Sequence, residues 1–242
     1  MLQSSFTLIQ NTPLTASVHE LRLRGDCSAI TAPGQFVQVS VPGKFLRRPF
    51  SVCDCEGDML TLCVQKAGAG TEALCAMRPG TQLDVLTGLG NGFDTRHVTP
   101  MPMLIGGGSG VGALYGLARH LTERGKIVTV VMGFRTAADV YYENEFHDLG
   151  VDVYVYTEDG SRGGAGIATD ALGLPHTELF ACGPLPMLEM LDAMEELDAQ
   201  FSLEARMGCG FGACMGCTID TLQGAKRVCV DGPVFPGKVV LW

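Results

Sequence analysis

The chain has 242 residues, 46% of them hydrophobic, with 32 glycines and a formal net charge of −9. This length allows one large domain or two smaller ones, with apolar content ample for a core. The acidic balance argues against nucleic acid and anionic membrane surfaces as partners, and no apolar run reaches the roughly 18 residues that span a bilayer.

Met1-Leu-Gln-Ser-Ser-Phe6 lacks the basic-then-apolar pattern of a secretion signal. Cys27, Cys53, Cys55, Cys63, Cys75 and Cys182 are scattered among apolar residues. Together these features predict a reducing, cytoplasmic setting.

Residues 1–97 read as β structure. Phe6–Gln10, His19–Arg24, Gly34–Val41 and Met59–Gln65 alternate apolar and polar side chains, and Ala32-Pro-Gly34, Pro42-Gly-Lys44 and Arg78-Pro-Gly80 punctuate them as turns. Short strands at this spacing predict a small antiparallel β-barrel. Cys53 and Cys55 in Cys-Asp-Cys are expected to share one strand face as inert packing.

Arg47-Arg-Pro-Phe-Ser-Val52 admits two readings. Pro49 fixes the backbone, Arg48 offers a donor fork suited to a diphosphate, and Ser51 adds a hydroxyl; an ordinary turn and strand would have the same sequence. Val64–Leu74 reads as a strand, a glycine loop and a short helix capped by Thr71, a weak phosphate signal by itself. Leu86-Thr-Gly-Leu-Gly-Asn-Gly-Phe93 reads as a glycine-dense turn closing this half.

Residues 98–200 change period. Met103–Leu121 reads as strand, glycine loop and helix, followed by a strand at Ile127–Phe134 and a polar helix at Ala138–Leu149. A strand at Val151–Tyr156, a strand and turn at Glu178–Pro184 and an amphipathic helix at Pro186–Ala199 complete the alternation. Such alternation predicts a parallel sheet with right-handed crossovers, binding nucleotide at its carboxyl edge. Gly108, Gly110 and Gly112-Ala113 fit G-x-G-x-x-G/A loosely. Gly133-Phe-Arg135 stands where an ordinary dinucleotide fold carries an acidic ribose ligand, so a variant geometry is expected. Cys182 either lies near a nicotinamide or is a buried strand-end thiol. Glu158 and Asp159 read as a solvated loop, and no histidine pair suggests catalysis.

Residues 201–242 hold Cys209, Cys214 and Cys217 at C-x4-C-x2-C spacing, with Cys229 to follow. This is the plant-type spacing for a [2Fe–2S] cluster, with glycines that let backbone wrap the sulfides. Structural zinc prefers two short Cys pairs, and only one C-x2-C is present. A segment this short is expected to lean on its metal for stability.

The motifs Arg48-Pro49-Phe50-Ser51, Cys63-Val64-Gln65, Gly68-Ala-Gly70-Thr71, Leu89-Gly-Asn-Gly-Phe93, Arg206-Met-Gly-Cys-Gly-Phe-Gly-Ala-Cys214 and Cys229-Val-Asp-Gly-Pro-Val-Phe235 resemble the ferredoxin–NADP reductase superfamily. Within it, nearly the whole chain is similar to the electron-transfer subunits of class 1B (NAD-dependent) dihydroorotate dehydrogenases. The resemblance implies FAD held by Arg48, Pro49, Phe50, Ser51, Cys63, Val64, Gln65, Gly70 and Thr71. It also implies NAD held by Gly106, Gly107, Gly108, Gly110, Cys182, Gly183 and Pro184, and a cluster on Cys209, Cys214, Cys217 and Cys229. The expected units are an FAD-binding barrel (1–97), an NAD-binding α/β domain (98–200) and a cluster segment (201–242). The implied partner is an FMN-containing dihydroorotate dehydrogenase catalytic subunit, two of each chain forming a heterotetramer for pyrimidine biosynthesis. Two alternatives remain at this point: a reductase subunit serving sulfide, sulfite or ferredoxin chemistry, and a zinc-stabilised nucleotide-binding regulator. Preference for NAD over NADP rests on resemblance alone, because Ser161-Arg162 could receive a 2′-phosphate.

Overall fold

The computed structural model describes residues 1–194, 196 and 198–242. The first half forms β1 (Leu2–Pro13), β2 (Val18–Arg24), β3 (Phe36–Val39), β4 (Arg48–Ser51), β5 (Asp54–Glu56), β6 (Met59–Gln65) and β7 (Gln82–Leu89). Helix α1 (Ala69–Cys75) links the last two strands. They pair antiparallel in the order β4-β3-β7-β1-β2-β6-β5, and β4 meets β6 across the opening, so the sheet curls as a half-barrel. The alternation seen in sequence decides the faces. Phe6, Leu8, Leu21, Leu23, Val37, Val39, Leu60, Leu62, Val64, Leu83 and Val85 form the interior.

The second half forms β8 (Pro102–Gly107), α2 (Gly110–Glu123), β9 (Thr129–Phe134), α3 (Glu143–Asp148), β10 (Asp152–Thr157), β11 (Gly164–Ala165), β12 (Glu178–Cys182), α4 (Leu185–Met194) and β13 (Ala199–Ser202). The tail adds a hairpin of β14 (Thr218–Ile219) and β15 (Lys226–Arg227), then β16 (Val234–Pro236). The second sheet runs β11-β10-β9-β8-β12-β13-β16, parallel except where β16 joins β13 antiparallel. Its central strands β8, β9 and β12 are buried on both faces, as parallel sheets require, while β10 and β11 at the edge are partly exposed. Among the described residues no helix is long and apolar enough to cross a membrane.

Several expectations are corrected here. Residues 82–89 form β7, paired between β1 and β3, where a turn was expected from Leu86. The helix expected at Ala138–Leu149 is a 3-10 turn at Ala137–Asp139 and a short α3, broken at Tyr142 with φ +68°. The break buries both tyrosines, and Tyr142 Oη donates to Glu20 Oε2 of the barrel at 2.6 Å. The helix expected to reach Ala199 ends at Met194, and Ala199 begins β13; Glu195 and Leu197 lie outside the described residues. Cys53 and Cys55 do not share a face, because the strand starts only at Asp54. Cys53 packs with Tyr142 in the core between the two sheets, and Cys55 packs against the barrel interior.

Helix α2 joins the halves. A Cβ on Gly112 would lie 2.8 Å from Cys63 Cβ, and one on Gly116 would lie 2.8 Å from the Cys53 carbonyl oxygen. The Gly116 N–H donates to that carbonyl at 2.8 Å, and Arg119 pairs with Asp54 at 2.6 Å. Backbone therefore meets backbone where the barrel seats on the sheet.

The tail is not left to a metal alone. Leu203, Cys217, Val228, Cys229 and Phe235 share a core with Phe36, Leu86 and Leu89 of the barrel, Leu179 and Ala181 of the second sheet and Leu188 of α4. The glycine-dense stretch after β7 grips it: Asn91 donates to the Val234 carbonyl at 2.8 Å and accepts from the Val234 N–H at 3.1 Å. Buried Asp192 on α4 takes the far end, accepting from the Lys238 N–H at 2.6 Å and from Trp242 Nε1 at 2.8 Å. Replacing Asp192 with Ala leaves those donors unpaired, at about 1–3 kcal/mol. Thermal unfolding of Asp192→Ala should fall by roughly 2–10 °C; an unchanged midpoint would show that the clamp contributes nothing.

Candidate functional site

The carboxyl ends of β8, β9, β10 and β12 frame a cleft of about 720 Å³. Gly107, Gly108, Ser109, Phe134, Arg135, Tyr141, Glu158, Pro184 and Met187 line it. Gly106 and Gly107 end β8, Gly108 turns the chain at φ +51°, and Gly110 opens α2. A helix N-terminus beyond such a turn supplies N–H donors to phosphate. A Cβ at Gly110 would collide with the Cys182 carbonyl oxygen, so only glycine lets α2 sit against the end of β12.

Sequence reasoning missed Tyr141. Its hydroxyl accepts from the Gly112 N–H at 3.2 Å and lies 3.1 Å from the Gly108 carbonyl, to which it donates. This ties the glycine loop to the segment before α3. The only sequence signal was an aromatic pair in a helix-like stretch. Glu158 and Asp159 lie exposed in the turn after β10, the solvated loop expected; Glu158 also borders the cleft, and Asp159 accepts from Ser161. Ser161 and Arg162 are engaged elsewhere: Ser161 accepts from the Ala137 N–H at 2.7 Å, and Arg162 pairs with Glu143 at 3.0 Å.

Cys182 is buried at the strand end and is absent from the lining, whereas Pro184 borders the cleft. Burial, then the nearby Glu204 carboxyl, push its thiol up to about 12. Gly183 packs against Gly107 and Met187.

In the barrel, Arg47 and Arg48 divide the work. Arg47 pairs with Asp84 at 2.6 Å and is structural. Arg48 Nη1 donates to the carbonyls of Leu46 and Arg47, and its Nε and Nη2 face Gly70, where a Cβ would lie 2.5 and 3.0 Å away. Thus Arg48 and the glycine loop before α1 form one cradle, with Gly68 at the helix cap. Thr71 caps from the third helical position, with Gly68 as the N-cap residue. It lies in the first turn and its hydroxyl reaches back to accept from Ala67 N–H at 2.8 Å and Gly68 N–H at 3.2 Å. Pro49 and Ser51 lie half-buried on β4, Phe50 leans on the barrel core, and β6 presents Cys63, buried Val64 and exposed Gln65. The cradle's fixed fork beside glycine backbone fits a dinucleotide diphosphate such as that of FAD.

The tail cysteines fall into two pairs. Cys209 Sγ accepts from the N–H groups of Ala213 at 3.2 Å and Cys214 at 3.4 Å, and Cys214 Sγ accepts from Cys209 N–H at 3.5 Å. Cys217 Sγ accepts from Cys229 N–H at 3.5 Å. Burial opposes ionisation of Cys209, but the N–H groups of Cys214, Phe211 and Ala213 outweigh it and bring the thiol down to about 6. Cys229, enclosed and beside Cys217, goes the other way, to about 12. Two thiol pairs with N–H groups aimed at sulfur fit a cluster with two irons.

These parts meet at one junction. Cys63 of the β6 stretch lies under Gly112 of α2, and Ser109 Oγ donates to Glu204 Oε1 at 3.4 Å where the cysteine segment begins.

Residues 204–241 match the model of the iron–sulfur cluster binding domain of dihydroorotate dehydrogenase B. The chain is 43% identical to the dihydroorotate dehydrogenase B (NAD(+)) electron transfer subunit of Geobacillus sp. (strain WCH70), covering 100% of both chains. It is 42% identical to that of Shouchella clausii (strain KSM-K16), covering 99% of this chain and 98% of that one. Among solved structures, an NADH-dependent reduced ferredoxin–NADP oxidoreductase studied for flavin-based electron bifurcation matches with a TM-score of 0.87 at 28% identity, over 97% of this chain and 89% of the other. The ferredoxin reductase of carbazole 1,9a-dioxygenase shares the fold, with a TM-score of 0.71 at 20% identity over 80% and 64% of the two chains. The chain belongs to the family of dihydroorotate dehydrogenase B (NAD(+)) electron transfer subunits.

Proposed function

We propose that this chain carries electrons from an FMN-containing dihydroorotate dehydrogenase catalytic subunit to NAD⁺, in a cytoplasmic heterotetramer with two of each chain that serves pyrimidine biosynthesis. It is an oxidoreductase subunit that uses FAD, a [2Fe–2S] cluster and NAD. We assign residues 1–97 to FAD, 98–200 to NAD and 201–242 to the cluster; the last boundary falls inside β13.

The observation that carries this reading is the junction itself. One helix, α2, has its first turn at the dinucleotide cleft and its next residues against the β6 stretch, while the cysteine segment starts beside the same loop. A flavin supplies the exchange between hydride chemistry and single-electron chemistry. The protein's part is placement. Arg48 and the N–H groups around Gly70 would hold the FAD diphosphate, and Pro49, Phe50, Ser51, Cys63, Val64, Gln65 and Thr71 would shape the flavin's bed. Gly106, Gly107, Gly108 and Gly110, with Cys182, Gly183 and Pro184 at the end of β12, would hold NAD, Cys182 by its backbone because its thiol is turned into the core. Cys209, Cys214, Cys217 and Cys229 would hold the cluster.

Dihydroorotate-oxidising activity in the polypeptide that co-purifies with this chain supports the assignment; a partner of any other activity favours the alternative acceptors. Cys214→Ser should abolish electron flow between NADH and that partner while NADH-to-dye activity persists, and survival of both would show that Cys214 is not a ligand. Arg48→Ala removes charged hydrogen bonds of about 1.5–3 kcal/mol in all. FAD should therefore bind about 10- to 150-fold more weakly, as read by fluorescence titration of released flavin; unchanged affinity would place the diphosphate elsewhere.

A further inference from the structure

Gln38 is fully buried, and among the described residues neither its Nε2 nor its Oε1 has a hydrogen-bond partner. An unsatisfied buried amide costs about 1–3 kcal/mol, so its partner should be something the protein binds. Its position narrows the choice. Along β3 the side chains alternate: Val37 and Val39 enter the barrel core, while Phe36 and Gln38 turn to the other face. On that face Phe36 packs in the cluster that includes Cys217 and Cys229. Gln38 stands directly opposite Pro49 of β4, and directly opposed residues of an antiparallel pair share a face. Gly210, next to Cys209, covers the amide. A Cβ there would collide with Gln38 Nε2, and Gly210 also has φ +79°. The carboxamide therefore lies between Arg48-Pro49-Phe50-Ser51 and the cysteine loop.

We propose that Gln38 is a positioning residue for the iron–sulfur cluster, its Nε2 donating a hydrogen bond to a cluster sulfur on the side facing the flavin stretch. The proposal rests on reading the cysteine loop as a [2Fe–2S] site. A carboxamide nitrogen carries two donor hydrogens, and cluster sulfur is the acceptor this reading adds beside Gly210, which covers the Nε2. Reduction adds one negative charge to the cluster, so a donor to sulfur stabilises the reduced form more than the oxidised form and raises the potential. Enclosure strengthens the bond, because water cannot compete for the amide. Gly210 would then serve two needs, a left-handed turn in the loop and clearance for the amide.

The test is an EPR-monitored redox titration of the holo complex carrying Gln38→Met, which keeps the bulk and removes the donor. The cluster midpoint should move to a more negative potential while flavin content and the iron-to-flavin ratio match the parent. An unchanged cluster midpoint in iron-loaded Gln38→Met overturns the proposal, as does a shift confined to the flavin. If the variant assembles without a cluster, the parent protein labelled with ¹⁵N in glutamine side chains gives the answer by pulsed EPR of the reduced cluster. A nitrogen coupling is expected, and its absence overturns the assignment. A parent complex that contains no iron would defeat the cluster reading itself, a result separate from either outcome for Gln38.

Discussion

The seat of helix α2 governs the rest of this structure. Glycines let it pack closely on two sides: its first turn abuts the Cys182 carbonyl of the sheet, Gly116 abuts the Cys53 carbonyl of the barrel, and Gly112 abuts the Cys63 side chain. A side chain at any of these positions would force the barrel off the sheet or the loop out of the cleft. Because the chain passes from β8 into α2 at the glycine loop, the same contact that joins the halves sets the nucleotide cleft against β6. Arg119 and Asp54 reinforce the seat from the helix's far end with a half-buried ion pair. Its net worth is modest, since partly exposed pairs contribute little, so shape and apolar burial carry the joint.

The tail depends on that joint in turn. Phe36, Leu86 and Leu89 reach out of the barrel, Leu179 and Ala181 out of the sheet and Leu188 out of α4, and the cysteine segment fills the wedge between them. Asn91 and Asp192 then fix its last stretch from opposite sides. A segment too short for a core of its own has borrowed one. This explains how four cysteines separated by glycines can be held in pairs, with N–H groups already directed at sulfur. That arrangement reduces what must be reorganised when charge moves through the site.

Much of this was legible in the sequence because it is local. Alternation in Phe6–Gln10, His19–Arg24 and Met59–Gln65 marks a two-faced sheet, and the strand–glycine–helix run from Met103 marks a nucleotide edge. The cysteine spacing names its own chemistry. What stayed hidden depends on distant partners. Residues 82–89 are a strand because β1 and β3 flank them, although Gly88 and Gly90 read as a turn. The expected helix breaks at Tyr142 because Tyr141 is needed at the Gly108 loop and Tyr142 at Glu20. Thr71 could be placed near the helix start, but its backward reach to Ala67 depends on the loop's path. Gln38 read as an ordinary polar position in an alternating strand, and only the fold shows that the tail covers it.

The central claim is spatial: the flavin lies between the dinucleotide cleft and the cysteine loop, with iron on the cysteines. A crystal structure of the complete complex with anomalous data at the iron edge measures this directly. The account predicts iron peaks enclosed by Cys209, Cys214, Cys217 and Cys229, with flavin density against Arg48–Ser51 on the path from that loop to Gly106–Gly110. Zinc in place of iron, or a flavin seated away from that path, would contradict it.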